Sequence, residues 1–221
     1  MKNHFKKKQT VGKLIVFGVL LESKMGGFKD ILVLLGKERE AKKIDKEYQK
    51  RKFKGPWGLK QLANLYKGFS KEKLKELALD YCQQNLTKGA REITVGLKKK
   101  GFLIGAISSN PQFIMDALAE ILPLDFSEGT QLEFKEGIAT GKIKKKVDRY
   151  TKVEILREKK RNYGLAEENV IVIGDSITAL PMVREAKIFI NFDIQKENIQ
   201  NIARYIIEDK NLRKIFGYFK P

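Results

Sequence analysis

Three short, continuous apolar runs, each ending in a glycine or a polar turn, constrain the fold of this chain most strongly. They occupy residues 14–17, 102–107 and 170–173. A run without polar alternation is typical of a strand that is covered on both faces by helices. Helical patterns alternate with the later runs, which predicts an α/β fold with a parallel, doubly wound sheet. Because ligands bind at the carboxyl ends of such strands, the turns after the three runs are expected to converge.

Helical periodicity dominates between the first and second strand candidates. It predicts a helical cap at residues 24–100, inserted into an α/β core formed by residues 1–23 and 101–221. Residues 131–143 read as a small β-hairpin that turns at Glu136 and Gly137. The core and the cap are therefore the two expected domains.

Three predicted helix starts bear on the expected site. Asn110 followed by Pro111 predicts a helix that begins at the proline with the asparagine as its N-cap. Another helix is expected over residues 151–163, and a third is expected to begin near Pro181. Each of these helices would start next to a strand end.

The chain is strongly basic, with 45 Lys and Arg against 27 Asp and Glu in 221 residues and a formal charge of +18. The lysines are spread along the helices and interleaved with glutamates, which favours a solvated surface over a dedicated polyanion stripe. A nucleic-acid partner stays open but is not favoured. The single Cys82 excludes an intramolecular disulfide, and Cys82 with His4 argues against zinc.

The amino-terminal lysines precede an apolar run at residues 14–21, a pattern also found in export signals. No small-x-small cleavage site follows, and the run is too short to cross a bilayer. A buried first strand is the favoured interpretation, with the cytoplasm as the expected compartment and no membrane partner. An exported basic protein is the alternative.

Three polar positions at the expected strand ends suggest phosphate chemistry. Ser108 and the amides that lead into Pro111 could hold an oxyanion, although the same residues could simply cap a helix. Lys152 stands where the helix dipole disfavours a cation, so a nearby anion would explain it better than helix stability does. Asp175 follows an apolar strand directly and offers the oxygen that Mg²⁺ prefers, or else a helix cap.

Longer motifs carry a family resemblance over residues 102–216. The segments FLIGAISSN, TKVEIL and VIVIGDSITALPM resemble the second, third and fourth motifs of the haloacid dehalogenase superfamily, in particular its phosphoserine phosphatase branch. The resemblance implies Mg²⁺-dependent hydrolysis of a small phosphorylated metabolite through an aspartyl-phosphate. It also implies that Ser108 and Ser109 bind the phosphoryl group, that Lys152 balances its charge, and that Asp175 ligates the metal.

The first motif of that family is missing. Family members read Asp-x-Asp after the first strand, and the first aspartate is the nucleophile. Here Phe17 runs directly into Gly18, and the first aspartate of the chain is Asp30. The simplest alignment places a gap between Phe17 and Gly18. Replacement of the two aspartates by Gly18 and Leu20 is less economical, and both alignments leave the chain without the nucleophile.

Two other departures follow. Ala179 stands where the fourth motif has a second acidic residue, so Mg²⁺ binding is expected to be weak. The neutral Gln61 and Leu62 lie near the place of a basic cap residue in the phosphoserine branch. The sequence therefore predicts a phosphoserine phosphatase-like phosphomonoester hydrolase that is inactive or strongly impaired. The alternative is a non-catalytic protein that binds phosphate or a polyanion on the same fold.

Overall fold

A computed structural model describes residues 12–192 and 202–218 of the chain. Its sheet has seven strands in the order β4-β3-β2-β1-β5-β6-β7. The strands are β1 (Leu14–Phe17), β2 (Leu103–Pro111), β3 (Phe126–Lys135), β4 (Ile138–Lys145), β5 (Val170–Gly174), β6 (Ile188–Phe192) and β7 (Tyr205–Ile207). The α-helices are α1 (Gly27–Leu34), α2 (Glu38–Arg51), α3 (Leu59–Leu65), α4 (Lys71–Gln84), α5 (Ala90–Lys99), α6 (Gln112–Ile121) and α7 (Thr151–Asn162).

Strand β1 forms the centre of the sheet, as its uninterrupted apolar sequence predicts. All four of its residues are buried, and it pairs in parallel with β2 on one side and β5 on the other. Phe17 is opposite Ala106 in β2 and Ile173 in β5, so the pairing of the three strands ends at one level, beyond which β2 continues beside β3. The predicted α/β fold with a mostly parallel sheet is confirmed, and its strand ends form a single edge.

The hairpin of β3 and β4 is also confirmed. Glu136 and Gly137 both have positive φ angles, 50° and 78°, as a tight hairpin turn with the right twist requires. Residues 205–207 form the short strand β7, which pairs in parallel with β6.

Two helix starts differ from the prediction. Helix α6 begins at Gln112 with Pro111 as its N-cap, and Asn110 belongs to the extended end of β2. The cause is a contact with β3, because the Thr130 hydroxyl donates to the Ser109 carbonyl (3.1 Å) and Thr130 pairs with Pro111. The segment expected as a helix near Pro181 is a short 3₁₀ helix, Leu180–Glu185.

Helices α1 to α4 pack around the fully buried ring of Tyr66, whose hydroxyl donates to the Phe28 carbonyl at 2.6 Å. Helix α5 lies against the 3₁₀ segment Leu212–Tyr218, where Phe216 closes over Gly96. The division into a core and a cap at residues 24–100 stays a prediction. His4 and the amino-terminal lysines before residue 12 lie outside the described residues. Within those residues, no helix combines the length and hydropathy needed to span a membrane.

Candidate functional site

The carboxyl ends of β1, β2 and β5 converge on one cavity of about 380 Å³. Gly18, Ser108 and Asp175 come from the three turns, and Lys152 reaches the same cavity from α7. Ser109 also lines it. The structure thus brings together every residue that the sequence singled out for phosphate or metal binding. Their chemical roles remain predictions.

At the end of β1, a glycine occupies the position that faces the cavity. The Gly18 amide donates to the Ile173 carbonyl at 2.9 Å, which continues the β1–β5 pairing to the sheet edge. A Cβ atom at Gly18 would approach only the Ile173 carbonyl, at 3.5 Å, so the fold leaves room for a side chain there. Leu20 is 3% exposed, packs in the core and does not line the cavity. Position 18 therefore lies on the cavity with room for a side chain, whereas position 20 lies in the core.

The first aspartate of the chain does not replace the missing pair. Asp30 accepts hydrogen bonds from the Ser23 hydroxyl (2.7 Å), the Met25 amide (3.2 Å) and the Tyr81 hydroxyl (2.9 Å). Burial, with the nearby Asp30 carboxylate, raises the pKa of Tyr81. Asp30 therefore fixes the loop before α1 and lies outside the lining of the 380 Å³ cavity.

The turn after β2 supplies neutral hydrogen-bonding groups. The Ser108 hydroxyl accepts from the Asn110 amide at 3.2 Å, and its own hydrogen is free to donate to a ligand. Ser108, Ser109 and Asn110 are all half-buried on the cavity wall. Their side chains and amides form a polar surface with no carboxylate, which suits an oxyanion.

Lys152 is the most deeply buried lysine on the lining of this cavity. Asp148 starts helix α7 by accepting from the Tyr150 (2.9 Å) and Thr151 (3.0 Å) amides, and this places Lys152 in the first turn. Lys152 is 5% exposed and donates to the Thr178 hydroxyl at 3.1 Å.

The Lys152 ammonium therefore has an unusual electrostatic environment. Burial lowers its pKa to about 8, although the nearby carboxylates Asp175 and Asp148 partly oppose that shift. Among the described residues, no carboxylate lies within ion-pair distance of it. A buried cation that hydrogen-bonds only to a neutral hydroxyl favours an anionic ligand.

The carboxylates on the cavity wall offer few ligands for a magnesium ion. They are Asp148 and Asp175, and Asp148 is already paired with Lys146 at 2.6 Å while it caps α7. Ala179, 3% exposed, contributes a methyl group where the family has an acid, and its Cβ would lie 2.5 Å from a Cβ at Gly174. The described residues contain no group of three potential metal-binding side chains. A single uncommitted carboxylate does not fit an all-protein site for Mg²⁺.

Three residues that the sequence reasoning did not identify also shape the site. Thr178 anchors Lys152, Asp148 starts its helix, and Arg149 lines the cavity while its guanidinium donates to the Lys52 carbonyl. Thr178 lies inside the fourth-motif segment, and Asp148 and Arg149 directly precede the third. Their proximity to those motifs was the available signal.

Comparisons with known proteins agree with this arrangement. The sequence profile of haloacid dehalogenase-like hydrolases matches residues 28–184. The matched region begins after β1. A phosphoserine phosphatase of Archaeoglobus fulgidus is 33% identical over 70% of this chain and 44% of its own length. One of Methanocaldococcus jannaschii is 28% identical over 84% of this chain and 86% of its own.

A solved structure described as a phospho-aspartyl intermediate analogue of phosphoserine phosphatase superposes with a TM-score of 0.78. It is 27% identical, and the alignment covers 95% of this chain and 99% of the other. The fold, the motifs and the matched profile lead to one conclusion. This chain belongs to the haloacid dehalogenase-like hydrolase family, and it is similar to the phosphoserine phosphatases within it.

Proposed function

We propose that this protein binds the phosphoryl group of a small phosphate monoester as its phosphatase relatives do, but hydrolyses the ester very slowly or not at all. Ser108, Ser109 and Lys152 hold the phosphoryl group; we call these three residues the phosphoryl end of the cavity. Residues 24–100 form the cap that covers the ester's organic group. The names of the relatives support phosphomonoesters as the ligand class.

One observation is the main support for impaired hydrolysis. The end of β1 is in place at the sheet edge, but the residue that faces the cavity there is Gly18, which has no nucleophilic atom. Covalent phosphoryl transfer in this fold needs a carboxylate at that position, because the intermediate forms on it. Neither Asp30 nor Asp148 substitutes, since each is held by hydrogen bonds elsewhere.

The small number of carboxylates in this cavity also changes what phosphate binding requires. A site with several carboxylates needs a metal ion before a dianion can enter, because like charges repel strongly in a partly buried space. In this cavity Asp175 is the uncommitted carboxylate, and Lys152 stands opposite as a cation. Phosphate is therefore expected to bind in the presence of a chelator, and Mg²⁺ is expected to bind weakly.

The test is an assay of aryl phosphate hydrolysis with Mg²⁺, run beside calorimetry of inorganic phosphate in EDTA. Saturable phosphate binding with no turnover above the uncatalysed rate is the expected result. Turnover that Asp175→Ala abolishes would contradict the impaired hydrolysis, because it would require a working metal-dependent site. Absence of phosphate binding would contradict the phosphoryl end.

A non-catalytic polyanion-binding protein is the second candidate, and the formal charge of +18 supports it. Binding of a polyanion through many lysines would weaken steeply with salt, because each neutralised phosphate releases counterions. Titrations of a single-stranded oligonucleotide at two salt concentrations distinguish the candidates. Tight, salt-sensitive binding that survives Lys152→Met favours the polyanion function, since that lysine is buried inside the cavity.

A further inference from the structure

Beyond the phosphoryl end, the cavity is lined by several large apolar side chains, with polar residues such as Lys24 and Gln49 among them. The apolar side chains come from the segment between β1 and α3, and we call them the cap wall. The cap wall consists of Met25, Phe28, Ile44, Trp57, Leu59 and Leu62. This composition bears on the organic group that a phosphate ester could carry, because that group is bound by the wall and not by the phosphoryl end.

The two buried cationic groups beside the cap wall already have partners. Lys29 is 8% exposed, forms an ion pair with Asp45 at 2.5 Å and lies 5.1 Å from the centre of the Tyr48 ring. The Arg149 guanidinium donates to the Lys52 carbonyl. Lys24 also lines the cavity, but it is exposed to solvent. A ligand carboxylate would have to displace one of the buried interactions, at a cost in affinity, or pair with Lys24, where water weakens an ion pair.

The wall also lacks a partner for a ligand ammonium group. On the lining formed by the described residues, the carboxylates are Asp148, which is paired with Lys146, and Asp175, which is near Lys152. At the cap wall itself, Leu62 is 7% exposed and turns into the cavity, whereas its neighbour Gln61 is exposed to solvent. Burying an amino-acid group here would leave its ammonium without a counter-charge and its carboxylate with at most the solvent-exposed Lys24, which is costly.

The size of the cavity restricts the ligand further. A volume of about 380 Å³ is near the lower end of the roughly 300–1,000 Å³ typical of ligand pockets. It suits a phosphoryl group with one ring or a short branched chain. A polymer could contact only its mouth.

We infer that the natural ligand is the monophosphate ester of a small aromatic or apolar alcohol, bound with its organic group against Phe28, Trp57 and Leu62, and that phosphoserine is not the ligand. This inference rests on the proposed phosphoryl end. The ligand's affinity increases because its apolar group is removed from water, and an aromatic ring can also stack on Phe28 and Trp57. The phosphoryl group sets the orientation.

Calorimetry with three ligands tests the inference: inorganic phosphate, phenyl phosphate and phosphoserine, each in EDTA at pH 7 and low salt. Phenyl phosphate is expected to bind at least about tenfold more tightly than inorganic phosphate, and phosphoserine no more tightly than inorganic phosphate. If phenyl phosphate and inorganic phosphate bind equally, or if phosphoserine binds most tightly, the inference is wrong while the phosphoryl end stands. If none of the three binds, the proposed function and the inference both fail.

A pair of matched variants tests whether the cap wall causes the preference for phenyl phosphate over inorganic phosphate. Trp57→Ala should weaken phenyl phosphate binding about fivefold and leave inorganic phosphate unchanged, since only the ester has a ring to lose contact. Phe53→Ala is the control, because Phe53 is an aromatic residue of the same segment that is 64% exposed and does not line the cavity. It should change neither affinity.

Leu59→Asn provides a second variant if Trp57→Ala does not fold. Leu59 is half-buried at the start of α3, so a polar side chain is tolerated more easily there than at Leu62. The ratio of phenyl phosphate to inorganic phosphate affinity should fall. An unchanged ratio in a folded variant would overturn the inference.

Discussion

The two sides of the cavity differ in how much catalytic chemistry they retain. The phosphoryl end has a hydroxyl at Ser108 and a buried cation at Lys152, which Thr178 holds in place. On the other side, Gly18 lies at the end of β1 and Ala179 lies in the turn after β5, two places where the family resemblance predicts acids. Yet the backbone of both sides follows the same sheet, because strand pairing and apolar burial do not depend on those side chains.

This difference shows that the sheet edge and the cavity form without carboxylates at residues 18 and 179. Carboxylates crowded at one edge of a sheet would repel one another, which opposes their ionisation and is unfavourable without a metal. Under the proposed function, hydrolysis is lost while the strand pairing and the phosphoryl end are kept. Adding carboxylates at the ends of β1 and β5 should therefore change turnover, whereas removing Lys152 from the phosphoryl end should change phosphate binding.

The largest effect is expected from restoring the carboxylates. Insertion of Asp-x-Asp between Phe17 and Gly18, combined with Ala179→Asp, should raise Mg²⁺-dependent turnover of an aryl phosphate by roughly 1,000-fold or more, since removing a nucleophile costs at least that much in other hydrolases. Steady-state kinetics measure it. The same variant with Asn in place of the first inserted aspartate is the control. A folded repaired protein without any gain would show that the gap is misplaced.

Removing the cation of the phosphoryl end should weaken phosphate binding without disrupting the fold. Lys152→Met is expected to weaken inorganic phosphate binding by about 10- to 100-fold, because a hydrogen bond to a charged group contributes about 1.5–3 kcal/mol. Calorimetry measures the affinity. Lys159→Met is the matched control on the same helix, since Lys159 pairs with Glu128 away from the cavity. Equal losses in both variants would point to general surface charge.

The same variant should be more stable than the wild type. Because burial lowers the pKa of Lys152 to about 8, the unfolded chain binds its proton more tightly than the native state does. Lys152→Met should raise the free energy of unfolding at pH 7 by about 1–3 kcal/mol, as one pKa unit corresponds to about 1.4 kcal/mol. Urea denaturation measures the difference.

The sign of this effect also predicts its pH dependence. The destabilisation by Lys152 is fully present below pH 8 and is relieved as the pH rises towards 10.5, its unperturbed pKa. The stability gap between variant and wild type should close over that window. Lys160→Met is the contrasting variant, because Lys160 pairs with the buried Glu185 at 2.8 Å and its loss should destabilise the protein. A destabilised Lys152→Met would contradict the assigned environment.

The smallest effect on phosphate affinity is expected from removing the neutral hydroxyl of Ser108. Ser108→Ala should weaken phosphate binding by about threefold to tenfold, because a neutral hydrogen bond contributes about 0.5–1.5 kcal/mol. Ser127→Ala, on β3 and outside the cavity lining, is the control and should bind phosphate normally. An unchanged affinity in Ser108→Ala would remove that hydroxyl from the phosphoryl end.

The sequence predicted the sheet edge well, because short apolar runs such as residues 14–17 and 170–173 can hardly be anything but central strands. It also predicted that the turns at Ser108 and Asp175 would meet, since parallel strands bring their carboxyl ends together, and the family resemblance added Lys152 to them. It did not predict that Thr130 would keep residues 108–110 extended, because that contact joins distant segments. For the same reason it missed Thr178 as the partner of Lys152 and the apolar cap wall around Leu62.

A phosphorus NMR spectrum of phenyl phosphate with Mg²⁺ and a stoichiometric amount of the protein tests the central claim most directly, because it reports binding and hydrolysis together. The account predicts that the ester resonance shifts or broadens with the wild type but not with Lys152→Met, and that no inorganic phosphate appears beyond the uncatalysed rate. An unperturbed ester resonance would contradict the phosphoryl end. Accumulation of inorganic phosphate that Asp175→Ala prevents would contradict the loss of hydrolysis.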